Sequence, residues 1–251
     1  MKFKMNNSDN GKFEIFGLRI NRMTYESFLN IISEVLEKKE KKFIAYANAH
    51  TLNMMYEDTE FKKLFLNFDI IHPDGIGIYM ASRFLYGEKG LDYRITGSDF
   101  YELLIKVSIK KKWSYFFFGH DNETLECIKK NHPELIIKGV NEGYHFDSTE
   151  VLGKINNSDA DILIVGLSSP RQEIWMSENK KEIKAKIVIA VGDGIKVFAG
   201  NKTRGPEIFR KAGLEWFFRF LGNPSTNFKK YIIGNPLFVF RVIKKRLNYI
   251  K

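Results

Sequence analysis

Asp74 stands in FDIIHPDGIGIYMAS, between an apolar run ending in His72-Pro73 and a glycine-rich helix start. A carboxylate at such a turn, with apolar surroundings that desolvate it, suits a general base drawing a proton from a hydroxyl. The other reading is that Asp74 caps the helix that follows, a common task for Asp. His72 can orient the carboxylate, or it can be a hydrogen-bonded structural group at the strand end. A second turn lies in GLSSPRQE. There the amides of Ser168 and Ser169, ahead of a helix starting near Pro170, form an anion site fit for a pyrophosphate. Arg171 adds charge and Gln172 can hydrogen-bond a sugar or base, although an ordinary capped helix has the same pattern.

Other chemistries find less support. Asp159 and Asp161 imitate a metal-binding DxD, but the pair precedes its strand and so belongs to the opposite edge of a sheet, with Asp159 at a helix end or turn. The five histidines are scattered, and none pairs with a Cys or a second His on one helical face. A site without a metal is expected. Gly75 and Gly77 are followed by Met80 where a dinucleotide fingerprint needs glycine.

These residues need elements to hold them. FEIFGLRI predicts a strand, and the helical spacing from Tyr25 predicts a helix capped by Thr24. The pattern then alternates. Strands are predicted at KFIAYA, FDIIH, SYFFFG, LIIKGV, DILIVGL and KIVIAVG, with helices near 50–66, 75–86, 98–111, from Asp121, near 148–157 and from Pro170. Near-continuous apolar strands separated by helices mark an α/β fold, a mostly parallel sheet covered on both faces. Ligands of such sheets bind beyond the carboxyl ends of the strands. Asn48, Asp74, Gly119, Ser168 to Gln172 and Gly192 to Gly194 all fall there.

The composition changes near Gly200, which divides a core of residues 1–200 from an appendage of residues 201–251. From Lys202 onward there are twelve Lys or Arg against two acidic side chains, so the formal net charge of +10 sits in the tail. The tail also carries Trp216, Phe217, Phe218, Phe220, Phe228, Tyr231, Phe238 and Phe240, and reads as helices interrupted at Asn223-Pro224 and Asn235-Pro236. Basic and aromatic together suit an anionic membrane surface or a nucleic acid. The lone Cys127 excludes an internal disulfide framework and fits a reducing cytosol. No apolar run reaches the about 18 residues of a spanning helix, and the first residues lack a signal-peptide core. The expected location is cytoplasmic.

Taken in order, ANAHTLNMM, FDIIHPDGIGIYMASRFLYG, RITGSD, FFFGHDNET, GYH, DILIVGLSSPRQEIWM, VFAGNKTRGP and GLEWFFRFLGNP resemble the WecG/TagA/CpsF glycosyltransferases over about residues 14–245. The resemblance implies a Rossmann-like core with a helical C-terminal appendage that approaches membrane and active site. It implies an inverting transfer, without a metal or other cofactor, from a UDP-sugar to an undecaprenyl-pyrophosphate-linked sugar, on the inner face of the cell membrane. Asp74 then becomes the general base. Asn48, Arg94, Thr96 and Gln172 match pocket positions of the family. With them, Gly119, Ser168, Ser169, Arg171 and Gly192 form the expected substrate site. Tyr46 stands where the family has threonine, and Lys196 where it has aspartate, so donor contacts should differ there. The arginines usual after the proline of the LEW segment are absent, leaving Arg204, Arg210 and Arg219 as partners for the leaving diphosphate. Oligomeric state, a homo-oligomer included, stays open.

A nucleic-acid-binding protein is the alternative from another class. It accounts for the basic aromatic tail, but not for Asp74, Gln172 and the strand-end turns gathering at one edge. A soluble epimerase or dehydrogenase lacks both the fingerprint and a need for the tail.

Overall fold

The computed structural model describes residues 11–202 and 204–248. FEIFGLRI, expected as one strand, is a hairpin of β1 (Lys12–Ile15) and β2 (Leu18–Asn21). Phe16 and Gly17 turn the chain at φ 54° and 81°. Two successive positive-φ residues make a tight hairpin turn, which a continuous strand cannot contain. The helix α1 (Tyr25–Glu37) follows. Thr24 accepts from Ser27 N at 3.0 Å and Ser27 Oγ accepts from Thr24 N at 2.8 Å, a reciprocal capping box.

The chain continues as β3 (Lys42–Ala47), α2 (Ala49–Glu57), α3 (Thr59–Leu64), β4 (Ile70–Pro73), α4 (Ile76–Tyr86) and α5 (Gly97–Lys111). Then come β5 (Ser114–Gly119), α6 (Asn122–Asn131), β6 (Ile136–Asn141), α7 (Ser148–Ser158), β7 (Ile162–Gly166), α8 (Arg171–Glu178), β8 (Ile187–Ala190) and the single-turn α9 (Ile195–Phe198). The six strands from β3 to β8 form one parallel sheet in the order β4-β3-β8-β7-β5-β6. Alternating strand residues feed two cores. Phe43, Phe116, Phe118, Leu163 and Val188 pack on one face with Leu52, Ile78 and Trp175. Ile44, Tyr115, Phe117, Ile164 and Ile189 pack on the other with Phe28, Phe100 and Leu104. Each such side chain contributes about 1.5–3 kcal/mol of burial. The α/β fold is the expected one. The hairpin also protects the outer strand, since Asn21 Oδ1 accepts from the free Ile71 N of β4 at 2.9 Å.

Beyond Gly200 lie α10 (Glu207–Lys211), α11 (Glu215–Gly222), α12 (Pro224–Phe228), a π turn at Lys229–Ile233 and α13 (Gly234–Asn248). The expected break at Asn223-Pro224 is there, with Asn223 capping α12 and Pro224 at its first position. The break expected at Asn235-Pro236 is not. Pro236 sits in the first turn of α13, where a missing N–H deprives the helix of little, and the wider preceding turn merges into α13. The tail aromatics also divide. Phe238 is 2% exposed and joins the core with Val242, whereas Phe240 is 63% exposed.

α13 lies on α2 and α4. Arg241 fastens it: Nη1 donates to Asn53 O and Oδ1 at 3.1 and 3.0 Å, and Nη2 to Glu57 Oε1 at 2.7 Å. The guanidinium lies 4.3 Å from the Tyr56 ring centroid. Asn53 Nδ2 in turn donates to Gly234 O at 2.7 Å. Arg241→Ala is expected to cost about 1–3 kcal/mol in urea denaturation and to speed protease cleavage within α13. A loss under about 0.5 kcal/mol would show the contact to behave as an ordinary surface ion pair.

Candidate active site

Asp74 follows β4 directly, at the carboxyl edge of the sheet. It does not cap α4. That helix starts from Gly75 at φ 89°, a conformation strained for any side chain, and has no side-chain cap. Asp74 Oδ1 instead accepts from Gly97 N, the first residue of α5, at 2.9 Å. Its Oδ2 accepts from Asn48 Nδ2 at 3.3 Å. Asn48 Oδ1 is already committed to Thr51 N at 3.0 Å, capping α2, which turns the amide nitrogen toward Asp74. Thr96 caps α5, accepting from Asp99 N at 3.2 Å and donating to Asp99 Oδ2 at 2.7 Å. His72 is fully buried beside Phe28 and Phe100, and its Nδ1 donates to Pro73 O at 3.1 Å rather than to Asp74. Burial lowers its pKa, so the ring stays neutral and structural.

Asp74, Asn48, Arg94 and Thr96 line a cavity of about 290 Å³ whose opposite wall is the tail: Trp216, Arg219, Lys230 and Tyr231. Arg219 Nη2 donates to Glu215 Oε1 at 2.6 Å and reaches Ser98 Oγ at 3.5 Å. Lys230 Nζ lies 5.4 Å from the Tyr231 ring centroid. Burial, then repulsion from Arg219, lowers the Lys230 pKa. Burial and Lys230 push His50, also in the wall, down to about 4, so it carries no charge at neutral pH. Lys202, its side chain 8% exposed, points toward the same charges and sits 3.8 Å from Asp193. Burial and Arg219 bring its pKa down to about 8. Arg94, Arg219 and Lys230 thus share one small space with Asp74 and Glu215. A wall with excess positive charge attracts an anion, and a diphosphate has the required charge.

The expected site residues separate into those that face this cavity and those that do not. Among the tail arginines, Arg219 faces it. Arg204 pairs with Asp99, with Glu102 at 2.7 Å and with Glu215 at 3.8 Å, fastening the tail to α5. Arg210 lies on α10, outside the lining. Tyr46, Ser169, Gln172 and Gly192 form a neighbouring cluster, half-buried at Tyr46 and Ser169 and buried at Gln172 and Gly192. Gln172, fully buried, accepts at Oε1 from Gly192 N at 2.9 Å and donates from Nε2 to Glu173 Oε1 at 2.8 Å and Tyr46 Oη at 3.3 Å. Its groups are engaged within the protein. Ser169 Oγ donates to Glu173 Oε1 at 2.6 Å, and burial raises the pKa of both Glu173 and the Tyr46 phenol.

Ser168 is exposed ahead of α8, with Pro170 at the cap position rather than inside the helix. Arg171 stacks 5.7 Å from the Phe146 ring centroid, and Lys196 pairs with Asp193 at 3.3 Å. Gly119 has φ 136°, and a Cβ there would lie 2.4 Å from the Gly166 carbonyl carbon, so close strand packing alone demands glycine. At the opposite edge, Asp159 ends α7 at φ 51°, and Asp161 Oδ2 accepts from Ser114 N and Oγ at 2.8 and 2.7 Å.

Glu215, Lys230, Tyr231 and Lys202 were not among the expected site residues. Glu215, Trp216 and Arg219 share one face of α11, and Tyr231, Asn235, Phe238 and Val239 follow helical spacing into α13. That periodicity was the available signal. It could not show that the face turns back on Asp74.

The sequence model of the glycosyl transferase WecG/TagA/CpsF family matches residues 13–251. An N-acetylglucosaminyldiphosphoundecaprenol N-acetyl-beta-D-mannosaminyltransferase of Bacillus spizizenii is 31% identical over 213 residues, 83% of this chain and 81% of its own. The proteins of the same name from Bacillus subtilis and Staphylococcus aureus are 28% and 25% identical, covering 88% and 95% of this chain and 87% and 95% of theirs.

Lys202 gives the charge arrangement a measurable signature. Its folded pKa of about 8 lies below its ordinary value of 10.5, so between those limits the unfolded chain binds the extra proton. The charged lysine therefore opposes folding below pH 8, and that opposition fades as pH rises toward 10.5. Lys202→Met should melt at a higher temperature than the wild type at pH 7, with the gap closing across this window. A gap constant with pH would show that Lys202 keeps its charge throughout.

Proposed function

The chain belongs to the WecG/TagA/CpsF glycosyltransferase family, and from that premise we propose that it transfers a hexose, such as N-acetylmannosamine, from a UDP-sugar to a sugar carried on a polyprenyl diphosphate. The observation that carries this reading is the Asp74 carboxylate, oriented by Asn48 and Gly97, facing Arg219 and Lys230 across a single cavity. A base and a diphosphate-binding wall within one small space are what such a transfer requires.

The reaction is a single displacement. Asp74 takes the proton of the acceptor hydroxyl, and the freed oxygen bonds to the anomeric carbon. The bond from that carbon to the UDP oxygen breaks with its electron pair leaving on the β-phosphate, so the anomeric centre inverts. Arg219 stabilises the charge that develops, without a metal ion. Arg94 and Thr96 border the acceptor side, and Ser168, Ser169 and Arg171 stand nearest the strand-end turn suited to the donor. The Tyr46–Gln172–Gly192 cluster supports that turn from behind.

Residues 201–251 serve in this reading as an appendage with two tasks, completing the cavity and holding the enzyme on an anionic membrane at its inner face. No helix of the described residues is long and apolar enough to cross a membrane. Exposed Phe228, Val239, Phe240, Ile243 and Leu247 beside Lys229, Lys244 and Arg246 suit an interfacial surface.

Two outcomes test the reading. Asp74→Asn should lower kcat by about a hundred- to ten-thousandfold while remaining folded by circular dichroism and retaining UDP binding, and wild-type turnover should survive EDTA. Near-normal turnover in Asp74→Asn sinks the assignment. The full chain should float with vesicles containing anionic lipid and fail to shift RNA or DNA in a gel; the reverse result favours a nucleic-acid-binding protein.

A further inference from the structure

An apolar groove of about 640 Å³ runs along the tail beside the Asp74 cavity, lined by Trp216, Ile232, Pro236, Val239, Phe240 and Ile243, with Tyr231 and Asn235 at its inner end. The two spaces are continuous, because Trp216, Tyr231, Asn235 and Val239 line both. Asp74, Arg219 and Lys230 line the cavity alone, Tyr231 and Asn235 line both spaces, and Ile232, Pro236, Phe240 and Ile243 line the groove alone. Val239, Phe240 and Ile243 are 54%, 63% and 44% exposed, so the outer part is open to one side. The volume is within the range of ordinary ligand sites.

We propose that this groove binds the first isoprenyl units of the acceptor, with its diphosphate on Lys230, which adjoins Tyr231 where the two spaces meet, and its sugar hydroxyl at Asp74. The proposal rests on the reading that the acceptor is a polyprenyl diphosphate. A hydroxyl to be deprotonated, a doubly charged linker and a hydrocarbon chain occur in that sequence in the ligand. A base and the Lys230 cation in the cavity, then the apolar groove that opens from it, follow the same sequence in the protein. A surface serving membrane adhesion alone has no need to open into the cavity of the base and its cations. The groove is also formed by residues of α11, the π turn and α13, which Arg204 and Arg241 fasten to the core. It is a built channel held in register with Asp74.

Titration calorimetry of the full chain, without vesicles or detergent, tests this with farnesyl diphosphate against methyl diphosphate. Farnesyl diphosphate should bind at least about tenfold more tightly, as expected for burying several apolar carbons. In Ile243→Glu and in Val239→Glu the advantage should fall to about threefold or less. Both positions are exposed, and circular dichroism would verify that α13 persists. Equal binding of the two diphosphates by the wild type overturns the proposal. So does a farnesyl advantage that survives both substitutions while vesicle flotation is lost, which would make this face a membrane contact only. Turnover is a separate arm: if the wild type binds farnesyl diphosphate as expected but transfers sugar to no lipid diphosphate, the reaction assignment fails and the groove stands.

Discussion

Two hydrogen bonds to one carboxylate organise the active end of this molecule. Asp74 closes β4, and its two oxygens accept from the start of α5 and from the side chain that caps α2. Three segments separate in sequence are thereby drawn to a point. A carboxylate at the exposed end of a parallel strand would otherwise turn to solvent or cap its own helix. Gly75 removes the second option by entering α4 at positive φ. What remains is an acceptor fixed in direction, with its remaining lone pairs available to the cavity.

The other wall has an electrostatic cost. Arg219, Lys230 and Lys202 are brought near one another in a place poor in water, and burial and mutual repulsion depress the pKa of both lysines. Glu215 and Asp193 offset part of this. The arrangement is less stable than an apolar wall would be, and such local instability is typical of groups kept for a ligand rather than for folding. Arg204 shows the contrast. With three carboxylates around it, that arginine is a fastener, and its charge is spent on the protein itself.

Much of the fold was legible because a doubly covered parallel sheet requires continuous apolar strands, and SYFFFG, DILIVGL and KIVIAVG can be little else. The strand-end rule then brought out Asp74 and Asn48, while Thr96 came only from the family resemblance. Local signals misled where one residue decides geometry. Gly17 makes FEIFGLRI a hairpin, and Pro236 opens a helix turn instead of ending it. The tail was the least legible part. Charge and aromatic content are properties of composition, whereas the division of Phe238 inward and Phe240 outward, or of Arg219 toward the cavity and Arg204 toward α5, depends on packing against elements over a hundred residues earlier. Gln172 carried the right residue type, yet its bonds to Gly192, Glu173 and Tyr46 are visible only once the strands are side by side.

The helix α2 links these parts mechanically. Its first turn is capped by Asn48, which orients Asp74, and its last turn holds Arg241 of α13 through Asn53 and Glu57. Nine residues of helix make a strut of about 13 Å, too short to bend appreciably. Its two ends therefore cannot move independently, and a displacement of α13 reaches the carboxylate as a displacement of its donor. The strut also works as a ruler: the separation of Asp74 from the Arg241 anchor of α13 is set by helix length rather than by loop flexibility.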